Sequence, residues 1–204
     1  KACSSGISSD ISKLKLKNSL SSIRELLNSL FPNAKMIFLL LTMNLYLKKK
    51  FIHFGEYKVK CAIGKRGITN KKKEGDKCTP KGKFKLKYIF YRKDRVKIKS
   101  RLKTIPIKKD FGWCDDIRSK KYNRFVKLPF KYKAEKLYKS NNIYDIIVVI
   151  NYNINPTKKN KGSAIFMHVA KRNYSPTLGC IAVSKKNIID IIASITKKSY
   201  ITIS

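Results

Sequence analysis

The sequence predicts a mostly β fold, a β-rich α+β domain, and three observations carry that prediction. Short runs of β-branched and aromatic residues recur from residue 44 onward, separated by Gly, Pro and Asn. Two of these runs, YDIIVVINY at 144–152 and AIFMHVA at 164–170, are almost continuously apolar. That is the pattern of strands buried on both faces. Helical spacing is confined to one segment near each end of the chain.

Taken in order, residues 1–42 read as a separate helical segment, with Met43 as a candidate start for the domain that follows. Ser8 or Ser9 would cap a helix in which Ile11, Leu14, Leu16, Leu20, Ile23, Leu27 and Leu30 recur mostly at steps of three and four, and Pro32 ends it. The apolar run 36–47 is too short to span a bilayer, so no transmembrane span is expected. No small-residue cleavage site of a signal peptide follows it. Strands are expected over 44–53, 57–63 and 84–91, and an ordered irregular excursion anchored by Trp113 over 111–124. The two buried strands follow. Ser184 caps a short helix with an apolar stripe of Ile188, Ile191, Ile192 and Ile195, and 200–203 closes the chain as a strand.

At 204 residues the chain is long enough to bury a real core. Its formal net charge is +36, yet 40 of the 48 basic residues are Lys and they are spread along the chain. Gripping bases or phosphates favours the planar fork of Arg, so a Lys-rich solvated surface is the first expectation. Attraction to an anionic surface or polymer comes second, and no specific nucleic-acid partner is expected. Five cysteines with no Cys-x-x-Cys pair and only two His make a structural metal site improbable, and free buried thiols are expected. His53 has no motif around it and reads as structural.

The chemistry concentrates in GSAIFMHVAKRNYSPTLGCIAVS, residues 162–184. His168 ends an apolar run, and Cys180 follows a turn-forming loop. An imidazole beside a thiol makes a nucleophile at neutral pH, since the ring takes the proton that the thiol holds. Gly179 lets the backbone turn sharply, so the N–H groups of Gly179 and Cys180 are the natural donors to an oxyanion. Cys114, between Trp113 and Asp115, is the one rival nucleophile; its carboxylate neighbour disfavours a thiolate.

His168 followed by Thr177-Leu178-Gly179-Cys180-Ile181 resembles the signature of the YkuD-type L,D-transpeptidases, cysteine enzymes that remodel peptidoglycan. Thr79, Pro80, Gly82 and Phe84 match a second segment, and 91–95, 113–116 and 122–124 resemble a compact branch of that family. The resemblance covers 43–204. It implies a β-sandwich with a few helices, catalysis by Cys180 and His168 with Gly179 at the oxyanion, and no cofactor or metal. It also implies peptidoglycan stem peptides as partners and a periplasmic or cell-envelope location. Candidate substrate contacts are Thr177, Arg172, Arg124, Trp113 and Asp115. The two arginines are candidates because this chain has Ala182 where many members carry Arg, and Leu178 where many carry His. The expected activity is transfer of a stem-peptide acyl group through a thioester. The alternatives are an L,D-carboxypeptidase, in which water resolves the thioester, and a non-enzymatic basic module that binds anionic polymer.

Overall fold

A computed structural model describes residues 43–70 and 72–204. The helix expected near the N-terminus and most of the apolar run 36–47 lie outside the described residues. Eight strands close into a ring: β1 (Leu45–Lys48), β2 (Phe51–Phe54), β3 (Tyr57–Ala62), β6 (Gly82–Tyr91), β11 (Ile146–Ile150), β12 (Phe166–Val169), β13 (Ile181–Val183) and β14 (Tyr200–Ile203). Their order around the ring is β11-β12-β13-β3-β2-β1-β14-β6, and β6 pairs back onto β11. The two layers expected of a sandwich are thus joined at both edges, so each of the eight has a paired neighbour on both sides.

Every ring strand contributes to one apolar interior, from Leu45 and Leu47 through Val148, Met167 and Val183 to Ile203. The helix α1 (Lys185–Ser194) adds Ile188, Ile191 and Ile192 to that interior, with Ile195 just after it. Ser184 caps it, its side chain accepting the Asn187 N–H at 3.1 Å.

A second core lies against the other face of β6, β11 and β12. Phe90, Ile147, Val149 and Phe166 pack there against Phe111, Trp113 and Leu137. Those last residues belong to or adjoin a three-stranded sheet of β8 (Phe111–Cys114), β9 (Phe125–Lys127) and β10 (Ala134–Lys136), ordered β10-β8-β9. Burial of all five residues of β11 follows, since one face meets the ring interior and the other meets this sheet.

Two segments differ from the sequence reading. Residues 44–53 form a hairpin, β1 and β2, with Lys49 turning at φ +56°. The single strand expected over 44–53 turns back on itself at three lysines, 48–50, with no Gly or Asn to mark the turn. Part of the excursion at 111–124 is strand β8, held by partners on both sides that only the tertiary fold supplies. The remaining short strands are β4 (Ile68–Thr69), β5 (Thr79–Pro80) and β7 (Thr104–Pro106). No helix of the described residues is long and apolar enough to cross a membrane.

Candidate active site

β12 and β13 run parallel, with His168 opposite Ala182. Cys180 stands one residue before β13 and therefore beside Phe166, whose N–H reaches Cys180 Sγ at 3.4 Å. Side chains alternate along a strand, so Phe166, His168, Cys180 and Ala182 share the face turned toward the second core. The thiol and the imidazole are diagonal neighbours. One strand spacing and two residues of rise put their Cα atoms about 8 Å apart.

Each side chain has a backbone partner. Cys180 Sγ donates to the Ala164 carbonyl at 3.1 Å. His168 Nδ1 lies 2.9 Å from the Val169 carbonyl, and the Tyr144 ring stands edge-on to the imidazole at 5.4 Å. With Nδ1–H donating to Val169 O, the Nε2 lone pair is the one left to take a proton. Burial holds the imidazole below its ordinary pKa, partly offset by the Val169 bond and the Glu135 carboxylate. Burial likewise pushes the Cys180 thiol up to about 12, with Glu135 adding to the shift and the Phe166 N–H, Lys72 and Lys139 opposing it. Both groups rest neutral near pH 7.

The loop before Cys180 is pinned from below. Thr79 is fully buried; its hydroxyl donates to Gly179 O at 3.0 Å and accepts the Gly64 N–H at 2.8 Å. Gly179 has φ +138°, and a Cβ there would meet the Cys78 carbonyl at 2.8 Å. Gly64 is equally confined, with Lys77 O 2.5 Å from where its Cβ would stand. Thr177 also serves this turn, accepting the Gly179 N–H at 3.1 Å and donating to Cys180 O at 2.6 Å. One expected oxyanion donor is therefore already engaged, while the Cys180 N–H meets no acceptor among the described residues.

The other sequence candidates separate. Trp113 is buried in the second core, edge-on to Phe166 at 5.1 Å. Asp115 pairs with Lys133 at 3.2 Å. Arg172 is exposed on the loop, and Arg124 is half-buried beside Trp113 and Tyr88. Ala182, at the position where an Arg is common, packs with Ala62 and Ala170 under Tyr174. Cys114 is wholly buried, its thiol directed at Asp116 O, 3.9 Å away. The four cysteines among the described residues are free, and no cluster of metal-binding side chains occurs there.

Four residues at the site carried no assigned role in the sequence. Asn123 takes Trp113 Nε1–H (2.9 Å) and Ala164 N–H (3.0 Å) on its oxygen, and donates to Tyr152 O and Asn153 O. It thereby fixes the residue whose carbonyl holds the thiol. Glu135 accepts from Tyr144 OH (2.8 Å) and Lys139 (3.0 Å). Lys72 is buried over Gly162 and paired with Asp76. Tyr144 and Glu135 had no sequence signal. Asn123 sat inside a matching motif, with nothing to say what it touches.

The closed β-ring thus sets a thiol and an imidazole side by side at two adjacent parallel strands, Cys180 just before β13 and His168 on β12. The family model of the YkuD L,D-transpeptidase catalytic domain matches residues 42–203. The chain belongs to that family. None of the curated proteins matches it.

Proposed function

We propose that this protein is a cysteine-dependent L,D-transpeptidase that acts on peptidoglycan stem peptides in the cell envelope or periplasm. The observation that supports it most is the register of β12 and β13, which sets Cys180 and His168 on one face with the imidazole tethered to Val169 O. The Cys180 side chain turns from the Ala164 carbonyl toward His168 Nε2, which takes its proton as sulfur attacks the stem-peptide carbonyl. Catalytic hydrogen bonds are commonly loose until substrate is bound.

The new S–C bond gives a tetrahedral oxyanion, for which the Cys180 N–H is the available donor. The C–N bond then breaks. Its amine leaves with the proton from His168, and a thioester remains. An acceptor amine attacks that thioester while His168 takes the amine's proton; the S–C bond breaks and the thiol is restored. Because both groups rest neutral, proton transfer accompanies attack and no preformed thiolate is needed.

The decisive test is intact-mass analysis after incubation with a carbapenem, which imitates the acyl donor. Wild type is expected to gain one covalent adduct and Cys180→Ser none. An unmodified wild-type mass refutes the reading. With purified muropeptide, a cross-linked dimer marks transfer, and shortened monomer alone marks hydrolysis by an L,D-carboxypeptidase.

A further inference from the structure

Three strands along from Cys180 lies an open pocket of about 390 Å³. Counting across β12, β11 and β6 at one strand spacing each puts it about 14 Å from the thiol. It is lined from the same face of the ring as the candidate active site, because Tyr88, like Phe90, packs against the second core. Its lining includes Lys87, Lys120, Lys121 and Arg124 and no carboxylate. Tyr88 and Phe125 form aromatic wall, and Trp113 lies at its inner end.

In a chain of such charge, unpaired lysines on the surface are ordinary. Arg124 is not. Arg92, Arg95 and Arg118 each hold a carboxylate, Arg101 holds the Ser194 carbonyl, and Arg66 and Arg172, which hold neither, are exposed to water. Arg124 is half-buried, yet its guanidinium forms no hydrogen bond or ion pair among the described residues. Its charge is felt by the Tyr88 hydroxyl on the pocket wall. A partly desolvated guanidinium without a partner, beside three lysines in one concavity, has its own repulsion to relieve. An oxyanion with two oxygens in the plane of the fork relieves it.

We propose that this pocket is an oxyanion-binding subsite, holding a phosphate or carboxylate group of the polymer on which Cys180 works. The polymer part rests on the proposed function. Oxyanion binding does not, and it is measured without the thiol chemistry.

Trp113 is the only tryptophan of the chain, so its emission reports on the pocket directly. The protein is titrated with inorganic phosphate and, separately, with acetate, at ionic strength held constant with sodium chloride. A saturable emission change is expected with at least one anion, and the tighter of the two identifies the source of the group. Arg124→Gln is expected to weaken it at least tenfold, and the exposed pair Lys120→Gln/Lys121→Gln several-fold. The same charge removed far away, by Lys197→Gln/Lys198→Gln, is expected to change it less than twofold. A response that chloride reproduces overturns the proposal, as does an equal loss in the remote variant. Should Arg124→Gln fail to fold, the exposed lysine pair decides alone.

Discussion

At the scale of single residues, the imidazole and the thiol are set by burial as much as by each other. His168 is held neutral by desolvation, so its folded pKa lies below the ordinary value of about 6.5. The base form therefore persists below that pH, and the acid limb of kcat/KM is expected to fall below about pH 6.5. Folding stability shares this dependence. The unfolded chain binds the proton first, so stability held at neutral pH is lost as pH falls from about 6.5 through the folded value, at up to about 1.4 kcal/mol per pH unit. Melting temperature measured against pH is expected to show this loss in wild type and a flatter acid limb in His168→Gln. The same variant is expected to lose about 10²–10⁴-fold in turnover. Cys180, pushed up to about 12, is expected to react slowly with iodoacetamide at pH 7, since alkylation needs a thiolate that burial disfavours.

At the scale of elements, the loop that carries Cys180 is shaped by a segment a hundred residues earlier. Thr79, at the start of the Thr-Pro-x-Gly-x-Phe stretch, joins Gly64 N–H to Gly179 O through one hydroxyl. Thr79→Val keeps the shape and removes both bonds inside a buried site. It is expected to cost about 1–3 kcal/mol in denaturant unfolding and to lower turnover as the turn loosens. Gly179→Ala meets the Cys78 carbonyl and a backbone angle that side chains avoid, so a similar stability loss and a larger loss of activity are expected. Assays of both variants beside Cys180→Ser separate a misplaced nucleophile from a missing one. α1 shows the opposite case, an element determined locally. Its Ser184 cap and isoleucine stripe were legible because 3.6-residue spacing and a capping hydroxyl are properties of neighbours in the chain.

At the scale of the whole molecule, the closed ring and its net charge pull in opposite directions. The ring interior runs through all eight strands, while the formal charge of +36 repels itself at every separation shorter than the screening length. Few of those charges find a carboxylate: eight ion pairs form among the described residues. Added salt is therefore expected to raise the melting temperature between low and physiological ionic strength, where the screening length shrinks to about 8 Å. A melting temperature that stays flat over that range would mean that the lysines already lie too far apart to matter.

Strand content, the doubly buried β11, the C-terminal helix and the nearness of Cys180 to His168 were legible in the sequence itself. Each rests on local periodicity, or on a motif whose parts lie close in the chain. The hairpin at Lys49 and strand β8 were not, since one lacks a turn residue and the other exists through β9 and β10. Only the tertiary structure decided that the layers close into a ring, that Val169 O holds the imidazole, and that Asn123 and Thr79 brace the surroundings of Cys180 from afar. The ring closes by pairing Leu45 with Ile201, and Thr79 and Asn123 reach Gly179 and Ala164 from far along the chain, so spacing carries no record of those partners. Val169 is a chain neighbour of His168, but packing on the buried face decides that the imidazole turns to its carbonyl.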